Sequence, residues 1–199
     1  MKNVNDPDFW EDIYKKNDIG WDLNGITPTF EKLANKLKPG KVIILGCGRG
    51  HDAIIFSKLN FEVTAVDFAP SAINYLEKLC KKNNVKVNAV QSDIFSLGKY
   101  YDNYFDYIIE QTCFCAIDPK RREEYERLVY HILNSNGYLI GLWYPLDKAI
   151  IDGGPPWGIS ISDLKNTFEK RWIITKESFS EFSIKKRRKR EKLIIFKKR

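Results

Sequence analysis

The chain has 199 residues, 43% hydrophobic and 30% charged, which fits one soluble globular domain. No apolar run approaches the roughly 20 residues that span a bilayer, and the first six residues lack the apolar core of a signal peptide, so the expected setting is cytoplasmic, away from membranes. The formal charge of +7 is uneven: residues 185–199 hold ten Lys or Arg and one Glu, a net of +9, and the other 184 sum to −2.

Asp6 and Pro7 are suited to start a helix, on which Phe9, Trp10, Ile13 and Tyr14 recur at helical spacing. A turn-rich loop, Gly20 to Gly25, carries Trp21. A second helix starts at Thr27-Pro28, turns Phe30, Leu33, Ala34 and Leu37 inward, and stops at Pro39-Gly40. These first 40 residues read as a helical cover on a core that occupies 41–199. In the core, Val42–Leu45 is an apolar strand and Ala53, Ile54, Phe56 and Leu59 mark a helix. Glu62–Asp67 is the second strand and Pro70–Asn83 the second core helix, with Ile73, Leu76 and Cys80 on one face. Lys86–Asp93 and Tyr104–Glu110 are the third and fourth strands. Asp118-Pro119 opens a charged helix with Tyr125, Leu128, Val129 and Ile132 inward, and Asn136-Gly137 turns into the strand Tyr138–Tyr144.

Beyond Pro145 the rhythm changes. Asp152–Gly158 must be a loop, residues 160–169 a short helix, and Trp172–Phe179 and Lys192–Lys198 strands. Lys185–Arg190 between them reads as a solvated hairpin whose like charges repel. Strand–helix alternation closed by a terminal strand pair implies a Rossmann-like α/β fold: a mostly parallel seven-stranded sheet, one antiparallel strand, and helices on both faces.

The stretch Val42–Gly50 organises the rest. After its strand comes G-x-G-x-G, Gly46 to Gly50. Glycines there adopt φ > 0 or keep a Cβ out of a ligand's way. Asp67 ends the next strand, 19 residues past Gly48. A carboxylate at that distance suits the two ribose hydroxyls of an adenosine-type ligand. The spacing differs from the G-x-G-x-x-G of most dinucleotide binders, and looks like the first motif of class I S-adenosylmethionine (SAM) methyltransferases. Asp93 closes the third strand in the same way. The four cysteines, Cys47, Cys80, Cys113 and Cys115, include no C-x-x-C pair, and with two histidines they suggest no metal site. Cys113 and Cys115 sit among apolar neighbours and read as inert packing.

Several local signals occur in order: Trp10, Tyr14 and Trp21-Asp-Leu-Asn-Gly25; Gly46-Cys-Gly-Arg-Gly-His-Asp52; Phe114-Cys-Ala-Ile-Asp-Pro119; Trp143-Tyr-Pro145; and Gly153-Gly-Pro-Pro-Trp157. Together they resemble the thiopurine S-methyltransferase-like superfamily, especially its thiol and halide methyltransferases, over about residues 9–172. The resemblance implies SAM as cofactor and a small-molecule acceptor. It implies that Trp10, Tyr14 and Trp21 cover the cofactor, with Tyr14 where plant relatives usually carry Trp. Gly46 matches the cofactor-contacting turn, Asp67 the ribose-binding acid, and Asp93 with Ile94 the pair beside the adenine. Gln111 falls where relatives carry Arg or Tyr near the methionine portion. Tyr144 matches a residue facing the acceptor, and Phe114 and Trp157 are candidates for walls of that pocket. The expected enzyme is a monomer that methylates a thiol, bisulfide, halide or thiocyanate, without metal or nucleic acid. Three rivals stay open: an RNA methyltransferase using the basic segment, a non-catalytic SAM-binding protein, and an NAD-dependent oxidoreductase. Glu110-Gln-Thr-Cys113 stands where methyltransferases of exocyclic amines carry Asn/Asp-Pro-Pro-Tyr/Phe, and the glycine spacing speaks against NAD.

Overall fold

A seven-stranded sheet forms the centre of the computed structural model, which describes residues 3–199. Its strands are β1 (Lys41–Leu45), β2 (Glu62–Asp67), β3 (Asn88–Gln91), β4 (Phe105–Gln111), β5 (Leu133–Trp143), β6 (Trp172–Ser178) and β7 (Lys192–Lys198), in the spatial order β3-β2-β1-β4-β5-β7-β6. The first five pair in parallel; β7 runs antiparallel to both β5 and β6. The sheet is therefore parallel apart from β7, as the strand–helix rhythm predicts.

The apolar run of β1 is explained by burial on both faces. Ile43 and Leu45 join a core with Phe105, Ile108, Leu139 and Trp143, covered by α5 (Arg122–Ile132) and α6 (Ile161–Phe168). Val42 and Ile44 face the other way, onto Phe30 of α2 (Pro28–Ala34), Phe56 of α3 (His51–Lys58) and Leu76 of α4 (Pro70–Asn83). Successive side chains on opposite sides of one strand thus hold the two helical layers. The N-terminal helix α1 (Pro7–Lys15) starts where Asp6 accepts from Asp8 N, with Pro7 in the first turn. Glu11 fixes it to the start of α4, accepting from Ser71 N at 2.9 Å and Ser71 Oγ at 2.7 Å.

Two segments depart from expectation. The third strand stops at Gln91, and Asp93 instead caps a short 3-10 helix, Ile94–Lys99, by accepting from Phe95 N at 2.9 Å. The basic run is a solvated hairpin only in part: it joins antiparallel β6 and β7 and exposes Lys185, Lys186, Arg188 and Lys189, but Arg187 turns inward. Residues 181–190 form successive turns, and within them Ser183 and Arg187 are buried, as is Glu191 just beyond. Arg187 folds inward because its guanidinium finds partners there: NH2 donates to Trp21 O at 2.7 Å, and Glu191 stands 3.8 Å from NH1. This strap also meets α2, where Thr29 and Ser180 hydroxyls lie 2.6 Å apart. Among the described residues no helix is long and apolar enough to cross a membrane.

Candidate active site

Strand order reverses between β1 and β4. In open parallel sheets the carboxyl ends at such a reversal flank a crevice. Here that crevice is a cavity of about 850 Å³. Its floor is the turn after β1, where Gly46 and Gly48 have φ of 57° and 55°, the left-handed region that side chains disfavour. Space is short as well: a Cβ on Gly46 would meet Cys113 Cβ and Sγ at 3.0 Å, and one on Gly48 would meet Tyr14 Oη at 3.1 Å.

Asp67 locks this turn. Its Oδ2 accepts from Gly48 N at 2.8 Å and its Oδ1 from Ala69 N at 2.9 Å. Burial raises its pKa to about 6 against these bonds. Phe68 N–H adds a third backbone bond, so of the carboxylate's roughly four lone-pair sites one is left for a ligand hydroxyl. Asp67, Asp93 and Ile94 all line the cavity, on the β2–β3 side of Gly46. Trp10, Tyr14 and Trp21 wall it from the N-terminal segment. They pack edge to face, Trp21 lying 5.8 Å from both Trp10 and Tyr14. The Trp21 loop is held down by Asp22, which pairs with Arg49 at 3.2 Å.

Tyr144 follows β5 and lines the opposite side. Arg187 and Arg190 each place their Cζ 5.3 Å from its ring centroid. Arg187 is 6% exposed and lines the cavity, and its NH1 has no hydrogen-bond partner among the described residues. Arginine stays charged when buried, so this end of the cavity carries a fixed positive charge beside Glu191.

Phe114 and Trp157 lie away from the cavity, and Gln111 lines a pocket that adjoins it. Phe114 is 1% exposed and packs in the core against Tyr125 and Trp143, with ring centroids 5.1 and 5.3 Å away. The cause is the turn after β4. Buried Glu110 accepts from Cys113 N at 3.1 Å, Phe114 N at 3.0 Å and Tyr125 Oη at 2.9 Å, while Thr112 takes φ of 59°. The turn presents Cys113 and Cys115 to the cavity and sends the intervening Phe114 inward. Burial pushes both thiols up, Cys115 to about 12, so neither is a ready thiolate nucleophile. The backbone N–H of Trp157 donates to Cys115 O at 2.8 Å, but its ring lies over Gly154, where an added Cβ would touch it at 2.4 Å. Pro155 and Pro156 reach the cavity in its place. Gln111 lines a smaller adjoining cavity of about 60 Å³ behind the glycine turn. Its Oε1 is 2.7 Å from Thr27 Oγ, and its Nε2 lacks a partner among the described residues.

The inward-facing Arg187 escapes a reading of charge runs. A signal was present: Ser183, Arg187 and Glu191 are spaced by four and share one buried face.

The thiopurine S-methyltransferase family model matches residues 5–198. The chain belongs to that family. It is therefore a SAM-dependent methyltransferase with the class I fold, as its motifs suggest. Thiocyanate methyltransferase 1 of Brassica oleracea is 31% identical over 162 residues, 77% of this chain and 68% of the relative. Thiopurine S-methyltransferase of Vibrio campbellii is 26% identical over 182 residues, 83% of each chain. Among solved structures, the Burkholderia thailandensis 1,6-didemethyltoxoflavin N1-methyltransferase, with S-adenosylhomocysteine bound, superposes with a TM-score of 0.76 at 16% identity. The match covers 96% of this chain and 86% of that one. TehB of Haemophilus influenzae gives 0.68 at 19% identity, covering 95% and 67%. The residues present fit SAM: Gly46 brings backbone to the cavity at positive φ, the rings of Trp10, Tyr14 and Trp21 line it, and Asp67 retains acceptor capacity.

Proposed function

We propose that this methyltransferase acts on a thiol or another small soft anion such as bisulfide, iodide or thiocyanate. The observation that carries the reading is Arg187, a buried cation that lines the cavity beside Tyr144. SAM, when bound, supplies a methyl group on a positively charged sulfur that departs with the bonding electron pair. Asp67 would hold a ribose hydroxyl, Asp93 and Ile94 would flank the adenine, and Gly46 would let the backbone approach. Trp10, Tyr14 and Trp21 would cover this end; aromatic faces attract a cation by ~0.5–2 kcal/mol each. Their closure would also keep water out.

At the other end, Arg187 would hold the acceptor's negative charge and Tyr144 would orient it. A free thiol has pKa of about 8.5, and a neighbouring guanidinium favours its ionised form. Halides and thiocyanate need no deprotonation. The site therefore works without a dedicated base, by holding two reactants in line, an effect of up to ~7–11 kcal/mol in favourable cases. The names of relatives, thiocyanate methyltransferase and thiopurine S-methyltransferase, agree with sulfur and soft-anion acceptors. Headspace analysis after incubation with SAM and a panel of thiols, bisulfide, iodide and thiocyanate tests the reading. Methylated products are expected from members of the panel. A protein that binds S-adenosylhomocysteine but methylates none of them overturns it.

A further inference from the structure

The charges around the cavity are sorted by position. Asp67 ends β2 and Asp93 lies two residues past β3, on one side of the strand-order reversal, and Asp22 sits in the loop above the glycine turn. Arg121 on that side lies over the Phe95 ring and is already held by Glu124 at 2.7 Å. The opposite side, past β5, is lined by Lys185, Lys186, Arg187 and Arg190. Arg190 is paired with Asp147 at 2.6 Å. Lys185 and Lys186 are exposed and have no ion-pair partner among the described residues.

A monatomic or linear anion at Tyr144 would use Arg187. It would leave the two free ammonium groups at the mouth unanswered. Like charges packed into one strap repel each other in the free protein, and that repulsion is relieved when an anion arrives. We propose that the acceptor is a small organic thiol bearing a second, anionic group, a carboxylate, sulfonate or phosphate. The sulfur lies toward Arg187 and Tyr144, and the anionic group is seated by Lys185 and Lys186. This deepens the soft-anion reading above and rests on it. Balance is unchanged: the thiol proton goes to solvent, the sulfur–methyl bond forms, and the donor sulfur takes the electron pair of the bond that breaks.

The test compares 3-mercaptopropionate with 2-mercaptoethanol, alongside iodide, in the full chain and in a Lys185→Gln/Lys186→Gln variant. Both lysines are exposed, and circular dichroism with S-adenosylhomocysteine calorimetry verifies folding. The ratio of kcat/KM values, mercaptopropionate over mercaptoethanol, is read in each protein; dividing one ratio by the other cancels the intrinsic reactivity of the two thiols. It should fall about tenfold on substitution, the weight of one charge-assisted contact. Lys185→Glu/Lys186→Glu should lower it further and shift preference toward cysteamine. A ratio that does not move overturns the proposal. So does an equal loss for iodide and mercaptopropionate that vanishes at high salt, since that is long-range steering. Iodide or mercaptoethanol methylated, with a mercaptopropionate-to-mercaptoethanol ratio that the substitutions leave unchanged, sinks this inference and leaves the soft-anion reading standing. Transfer to none of the three acceptors sinks both.

Discussion

Glu110 offers the sharpest test of how the turn after β4 is held. It is 1% exposed and accepts three hydrogen bonds, yet burial raises its pKa from the ordinary 4.5 to about 7. The folded state thus binds this proton more tightly than the unfolded chain does. Its contribution to stability is full below pH 4.5 and is lost as pH rises through 7. The separation of about 2.5 between those values corresponds to ~3 kcal/mol at 1.36 kcal/mol per pH unit; most of it, ~2–3 kcal/mol, falls between pH 5 and pH 8. Glu110→Gln keeps an oxygen for the Cys113 and Phe114 N–H groups, and Tyr125 can turn its hydroxyl to accept from the amide. The variant cannot ionise, so it escapes this loss. Urea unfolding of both apo proteins at the two pH values reads the difference of differences, in which Asp52 and Asp67, also raised to about 6 by burial, cancel. Glu110→Gln should gain ~2–3 kcal/mol on the parent as pH goes from 5 to 8. Identical pH profiles would refute the argument that a buried charge is being carried. Glu110→Ala, which orphans three donors, should cost at least ~3 kcal/mol at either pH.

Asp67→Ala should raise the Kd of S-adenosylhomocysteine at least ~30-fold, since it removes the ribose acceptor and frees Gly48 N; calorimetry with normal affinity would remove Asp67 from the site. Tyr144→Phe should lower kcat with that affinity within about twofold, the pattern of an acceptor-side group, and an unchanged kcat would exclude its hydroxyl. Arg187→Met should reduce kcat/KM for iodide by ~10–100-fold, in line with the loss of a buried charged partner, and steady-state kinetics at fixed saturating SAM read it. In thermal shift, S-adenosylhomocysteine should raise Tm while NAD leaves it unmoved.

The side of the cavity lined by Gly46, Asp67 and Asp93 was legible because local chemistry dictates it. A glycine that needs positive φ and an acid that ends a strand announce themselves one motif at a time, and Gly46, Asp67 and Asp93 all reach the cavity. The acceptor side depends on which way single residues turn within irregular segments. Phe114 is as apolar as a pocket wall should be, but Glu110 captures the backbone on either side of Cys113 and turns the ring into the core. Trp157 lies in a loop whose prolines, rather than its indole, face inward. Arg187 is one of six consecutive cations, and nothing in its type separates it from Arg188. Its place is set by a carbonyl at Trp21, 166 positions away in the chain. The sheet order, by contrast, follows from alternation and from the antiparallel turn into β7, both periodic features.

The bond from Arg187 to the Trp21 carbonyl joins the two ends of the polypeptide across the mouth of the cavity. On the proposed reading, the side chain that would hold the acceptor also fastens the Trp21 loop that would roof the donor. An anion drawing on the same guanidinium competes for, or reinforces, that clasp. On that reading, occupancy of the acceptor site and retention of the donor would be coupled through a single side chain.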